Sequence, residues 1–524
     1  MLPARLTRSF GVLTAIVSLC AVAACAAEED RHGPAGPVPA GLERFYGQRL
    51  SWADCAAFGT TASDRAALAA KDVRCAELTV PLDYANPQGD TITIAVLRRS
   101  ADDEDERIGS LLINPGGPGA AGLATAARLA SQGQDTELGR RFDFVGFDPR
   151  GVGASKPRIQ CLTDAERDAD RALDDELDAS PEGVRKTETE ERDYAAKCAQ
   201  RTAKGAALLA NMGSRDVARD MDILRSALGD EKLNYLGYSY GTRIGTTYAE
   251  AFPGNVRALV LDGALDPDQD AVGELVAQAQ GFQKAFEAFA NWCARRQDCA
   301  LGRDAAAATN AFQAMTRPLL ARPLDLGTGR TLSYSDATTG AVQALYAQQL
   351  WEALNRGLAE LKQGKGTTLM ALADTYFERD SSGAYSTTQD AFTAVRCVDD
   401  PRVTDKNVII EAQRRYKQVA PFLDDGQPPS AALDACAFWP APNTSSPHEP
   451  KVPGLPPALV ISTTGDPATP YQAGVNLAKA LGGGLLTFDA TQHTVFLQGN
   501  ACVDRAGTDY LVNLTLPPAG TRCA

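Results

Sequence analysis

The sequence predicts an α/β fold: a mostly parallel sheet with helices on both faces, and a large, mainly helical lid inserted between two of its strands. Three observations carry this expectation. Short apolar runs alternate with amphipathic helical stretches between residues 90 and 267. The alternation stops across residues 268–457, where the pattern is mainly helical and ends in a Pro-rich stretch. It resumes at residue 458, which makes the helical block an insertion into one sheet domain. A chain of 524 residues, 44% hydrophobic and 23% charged, is globular in composition and too long for one compact core.

Each element has its own signal. Residues 90–99 alternate Ile92, Ile94 and Val96 with other side chains, as a half-exposed strand does. Residues 109–114 contain the buried-strand run Leu111-Leu112-Ile113 and lead into Asn114-Pro115-Gly116-Gly117-Pro118-Gly119, followed by an Ala-rich helical stretch to about Ser131. A further buried strand is expected at 142–147, closed by Asp148-Pro149-Arg150-Gly151. Residues 214–228 place Val217, Met221, Leu224 and Leu228 on one helical face, with Ser214 expected as N-cap and Gly229 as stop. Strand, helix and strand are then expected at 232–236, 242–252 and 256–261. Within the lid, 274–296 and 345–377 are the clearest helical patterns. Beyond it come a strand at 458–463, a helix at 471–481 and a strand at 484–488.

The N-terminus reads as an export signal. Arg5 and Arg8 precede an uncharged apolar run at 10–24, shorter than the roughly 20 residues that span a bilayer, so residues 1–24 are expected to be a signal peptide. Val22-Ala23-Ala24-Cys25 resembles a bacterial lipobox, which makes Cys25 the expected lipidation site and residues 25–41 a tether. Soluble secretion after cleavage at Ala21-Val22-Ala23 or Ala24-Cys25-Ala26 is the alternative. The sheet domain then occupies 42–267 and 458–524, and the protein is expected outside the cytoplasm, held at the outer face of the cell membrane by lipid alone. With Cys20 and Cys25 set aside, ten of the 12 cysteines remain. An even number in an exported protein predicts disulfides, and pairing of neighbours gives Cys55–Cys75, Cys161–Cys198, Cys293–Cys299, Cys397–Cys436 and Cys502–Cys523. A net charge of −14 without a Lys/Arg cluster argues against nucleic-acid binding, and three histidines argue against a multi-histidine metal site. No cofactor and no metal are expected, and the oligomeric state is left open.

The chemistry concentrates at strand ends. Gly237-Tyr238-Ser239-Tyr240-Gly241 lies between an expected strand and an expected helix, the context of a nucleophile elbow. A serine hydroxyl needs a base. His32 falls in the tether and His448 in the Pro-rich stretch, which leaves His493. Asp466, on the turn after the strand at 458–463, is expected to orient the imidazole, with Asp489 and Asp262 as competitors. The order Ser239, Asp466, His493 is that of an α/β-hydrolase. The oxyanion donors are expected to be the amides of Tyr240 and of Gly117, with Gly116 the nearest alternative. The glycine loop lacks the Lys-Ser/Thr of a phosphate-binding loop.

As an ordered set, Pro115-Gly116-Gly117-Pro118-Gly119, Phe147-Asp148-Pro149-Arg150-Gly151-Val152-Gly153, Gly237-Tyr238-Ser239-Tyr240-Gly241-Thr242-Arg243, Gly465-Asp466-Pro467-Ala468-Thr469-Pro470 and Gln492-His493-Thr494 are similar to motifs of a known group. The sequence resembles exported α/β-hydrolases of the prolyl iminopeptidase and tripeptidyl aminopeptidase family, most of all the cell-envelope lipoprotein branch whose members are described as serine proteases and as carboxylesterases. The resemblance implies a serine peptidase releasing short peptides from free N-termini, with a carboxylesterase as the alternative. It also implies acidic lid side chains that hold the substrate ammonium, and Asp399 and Asp400 are the candidates. Pro115 stands where prolyl iminopeptidases usually carry His, so prolyl specificity is not implied. Arg150 and Arg243 are expected to be structural ion-pair partners.

Overall fold

The computed structural model describes residues 34–174 and 177–524; the expected signal peptide, Cys20, Cys25 and the first part of the tether lie outside them. Before the lid come strands β1 (Val73–Pro81), β2 (Thr91–Arg99), β3 (Gly109–Asn114), β4 (Phe142–Phe147), β5 (Leu233–Tyr238) and β6 (Val256–Asp262). The lid adds a small hairpin of β7 (Leu324–Asp325) and β8 (Thr331–Leu332), and β9 (Leu459–Thr463), β10 (Gly484–Phe488) and β11 (Arg522–Cys523) follow it. Among the described residues, nine strands form one sheet in the order β1-β2-β4-β3-β5-β6-β9-β10-β11. From β4 to β11 all neighbours are parallel, while β1 and β2 form an antiparallel edge.

Burial on both faces explains the apolar runs. In β3, Leu111 and Ile113 enter one core and Leu112 the other, as the two-residue strand period requires. β1 has no counterpart among the expected strands. Exposed Arg74 on one face and Glu77 and Thr79 on the other break up its apolar pattern.

A third core fills the lid, where Phe286 stacks on Phe422 at 4.6 Å between ring centroids and packs edge-on against Phe312. The stretch 345–377 is two helices, Trp351–Leu361 and Thr367–Tyr376, rather than one. Gly364 at φ 70° makes the break, in a conformation other residues rarely adopt.

The excursion between β4 and β5 also departs from the expected division. Its helices Asp164–Arg171 and Pro181–Arg201 reach up to the lid. Arg171 pairs with Asp336 and Asp374, both at 2.9 Å, and Arg379 pairs with Asp168 at 2.8 Å. Of these pairs only Arg171–Asp336 is buried on both sides, where desolvation offsets much of the charge attraction. Among the described residues five disulfides join the neighbouring cysteines as expected, and Cys161–Cys198 closes this excursion.

Candidate active site

The parallel strands bring the site together at their C-terminal ends. Ser239 follows β5 with φ 53° and ψ −126°, then the helix Tyr240–Ala251 begins. A serine in that region is strained and must be held there. Its amide donates to the Asp262 carbonyl at 2.9 Å, and its carbonyl accepts from the Thr242 amide at 2.8 Å. The flanking glycines are a steric necessity: a Cβ on Gly237 would lie 2.5 Å from the Gly241 carbonyl oxygen.

Asp466, on the turn after β9, is fully buried. Its carboxylate oxygens lie 2.9 and 3.0 Å from His493 Nδ1. Oδ1 also accepts from the Ala468 and Thr469 amides, each at 2.9 Å, and Oδ2 from the Thr469 hydroxyl at 3.0 Å. His493 keeps 12% of its side chain exposed. Burial pushes its pKa down, but the Asp466 carboxylate outweighs this and holds it above the ordinary histidine value. The lid grips the same residue: the Tyr346 carbonyl accepts from the His493 amide at 2.9 Å, and the two rings meet edge-on at 5.5 Å.

The competing carboxylates lie elsewhere. Asp489 is exposed and pairs with Arg522. Asp262 is fully buried beneath the histidine loop, where one oxygen accepts from the Val495 and Phe496 amides at 2.8 and 2.7 Å. Burial raises its pKa to about 6. Asp262 thus touches the loops of both Ser239 and His493.

The glycine loop packs on the elbow. A Cβ on Gly116 would lie 2.5 Å from the Tyr238 carbonyl and 2.9 Å from Ser239 Cβ. The Gly116 amide already donates to Asn114 Oδ1 at 2.9 Å, while the Gly117 amide finds no acceptor among the described residues. Tyr240 is the first helical residue, so its amide has no carbonyl one turn earlier to bond. Asp148 braces this loop from behind, accepting from the Gly122, Leu123 and Ala154 amides at 2.8, 3.1 and 2.8 Å.

The alpha/beta hydrolase fold family matches residues 109–500. The protein belongs to that family. The hydrolase is 46% identical to serine protease Hip1 of Mycobacterium tuberculosis over 489 residues, 92% of each sequence. It is 47% identical to carboxylesterase B of the same organism over 521 residues, 98% of this sequence and 97% of that one. Tripeptidyl aminopeptidase of Streptomyces lividans is 30% identical over 485 residues, 91% of this sequence and 86% of that one.

In this hydrolase the lid encloses a cavity of about 320 Å3 over the elbow, walled by Ser239, Tyr240 and Gly117 on one side and by Asp400 and Glu274 on the other. Asp399 lines it too, but its oxygens are taken: one accepts from the Ser214 amide at 2.8 Å and the other from the Tyr240 hydroxyl at 2.7 Å. It therefore anchors the lid to the elbow helix. It also displaces Ser214 from its expected capping role, since Gly213 is the N-cap and Asp399 receives the amide. Asp400 pairs with Arg243 at 2.8 Å through one oxygen. Glu274, absent from the sequence expectations, makes no hydrogen bond or ion pair through its carboxylate among the described residues. Burial, then the Asp400 charge, raises its pKa. Arg150 is structural, bound to Asp220 at 2.6 Å and to the Pro81 and Leu82 carbonyls at 2.7 Å.

Proposed function

We propose that this hydrolase is an exported serine peptidase that cleaves short peptides from free N-termini. The Asp466–His493 contact and the strained Ser239 after β5 support a Ser-His-Asp triad. Ser239 Oγ attacks the substrate carbonyl, His493 Nε2 accepts the serine proton, and Asp466 holds the imidazole in that tautomer. The Gly117 and Tyr240 amides receive the oxyanion, and water then releases the acyl group through the same histidine.

The relatives include both a protease and a carboxylesterase at nearly equal identity, so they do not choose between peptide and ester. The single observation that favours the peptide is Glu274. A carboxylate with no hydrogen-bond or ion-pair partner, whose pKa is raised by burial and by Asp400, gains a favourable charged contact when an ammonium group arrives beside it. An acyl ester offers no such cation. Asp400 shares the role through its free oxygen.

Export with a lipid on Cys25 is part of the same reading, supported by the lipobox-like segment and by five disulfides. Among the described residues no helix is long and apolar enough to cross a membrane. Peptidyl chromogens with free and acetylated N-termini test the activity beside short acyl esters. The reading expects the free peptides to be cleaved at least tenfold better; equal cleavage, or ester turnover alone, overturns it.

A further inference from the structure

Two hollows border the site, and they divide its members. The lid cavity is walled by Ser239, Tyr240 and Gly117 but not by His493. A second hollow of about 710 Å3 is walled by His493, Thr494, Pro115 and Tyr238, and it runs between the helices Gly122–Gln132 and Ala501–Asn513.

Reaction chemistry decides which half of the substrate enters which. The acyl carbon must reach Ser239 with its oxygen at the Gly117 and Tyr240 amides, so the acyl portion occupies the lid cavity. When the tetrahedral intermediate collapses, the bond from carbon to the leaving nitrogen breaks and its electron pair stays on nitrogen. The proton that His493 took from Ser239 then passes to that nitrogen. The leaving group therefore departs on the histidine's side.

We propose that the groove between these two helices binds the part of the peptide that follows the scissile bond. This rests on the serine peptidase reading and deepens it. Arg128, Gln132 and Gln498 line the groove and are exposed, so it opens to solvent and sets no limit on the length of the departing peptide. The lid cavity, at about 320 Å3, has less than half the groove's volume and suits a short acyl segment. Gln498 donates to the Thr494 hydroxyl at 2.7 Å and Arg128 to the Thr125 hydroxyl at 3.0 Å, and the remaining N–H groups of Arg128 and Gln132 suit the carbonyls of an extended peptide. Its far wall is fixed by Asp504, whose carboxylate accepts from the Leu497 amide at 2.7 Å.

The test compares one acyl peptide carried on two leaving groups: p-nitroaniline, and a five-residue peptide in a quenched fluorescent substrate. Thr508→Trp fills the groove from the helix Ala501–Asn513, and the double variant Arg128→Ala/Gln132→Ala removes donors without adding bulk or touching the histidine loop. The ratio of kcat/KM for the extended peptide to that for the anilide is expected to fall at least tenfold in the first and at least threefold in the second, mainly through KM. Ratios within twofold of wild type in both variants overturn the groove assignment. If wild type cleaves neither peptide, the peptidase reading falls. A p-nitrophenyl ester and an ester of a hydroxyacyl peptide then replace the pair, with the same ratio and the same thresholds deciding the groove.

Discussion

Replacing Asp466 by Asn changes one atom and reverses the polarity of a contact. Oδ1 of Asp466 is fixed by two backbone amides, from Ala468 and Thr469, each at 2.9 Å. An asparagine keeps its carbonyl oxygen there, and its NH2 group falls at the Oδ2 position, 3.0 Å from His493 Nδ1. That NH2 cannot accept the Nδ1 proton and competes with the carbonyl oxygen, 2.9 Å from the same nitrogen, so the imidazole proton shifts towards Nε2. A ring protonated at Nε2 cannot take the Ser239 proton. Loss of the correct tautomer lowers kcat by roughly 10³–10⁴-fold, or about 4–5 kcal/mol of barrier. The pH profile must move as well. Activity requires neutral His493, and because Asp466 holds its pKa above the ordinary value, the acid limb of wild type lies above that value. Without the Asp466 anion, burial is opposed only by the smaller effect of the Asp262 charge, so the pKa falls and the limb shifts to lower pH. The assay is kcat on a free-N-terminus peptidyl anilide between pH 4 and 9, with circular dichroism to verify the fold. A variant that keeps more than a tenth of wild-type kcat, or a limb that moves upward, refutes the reasoning.

Three other predictions concern separate parts of the molecule. Glu274→Gln is expected to raise KM for free-N-terminus peptides roughly tenfold to a hundredfold, the worth of one charged hydrogen bond, and to leave KM for acetylated peptides unchanged; equal effects on both would remove its role. Gly116→Ala places a Cβ 2.5 Å from the Tyr238 carbonyl at a φ of 96°, so kcat should fall at least ~100-fold as the oxyanion loop shifts, and steady-state rates within threefold of wild type would contradict the packing. Cys161→Ser/Cys198→Ser opens a 37-residue loop and should cost about 2–4 kcal/mol in thermal or denaturant unfolding, with kcat at 25 °C unchanged within twofold.

The proposed triad could be read from the sequence because each member follows a strand with a largely buried apolar run. β3, β4 and β10 have the predicted bounds, and the residue types after β5, β9 and β10 leave few choices. Asp466 was already preferred from its place on the turn after a strand, while the reason Asp489 and Asp262 stand aside lies in packing: Asp489 turns to Arg522 and Asp262 is committed to two amides. Glu274 was hidden for another reason: early in a long helix it reads as a solvated face, and only the closure of the lid places it in a cavity. Tyr346 acts through its backbone carbonyl and an edge-on ring, and neither leaves a mark in residue type. The charged helices of the excursion likewise read as solvent-facing, although Arg171 is buried between Asp336 and Asp374. Asp399 lines the cavity beside Asp400, and its hydrogen bonds to Tyr240 and Ser214, which residue type does not reveal, also hold the lid in place.

The central claim is that Ser239 becomes acylated with His493 as its base. Incubation with a fluorophosphonate, followed by intact-mass and peptide mass spectrometry, tests it most directly. One adduct per protein molecule is expected, on the peptide carrying Ser239, absent from Ser239→Ala and at least a hundredfold slower to form in His493→Ala. An adduct on any other residue, or equal labelling of the Ser239→Ala protein, would contradict the account.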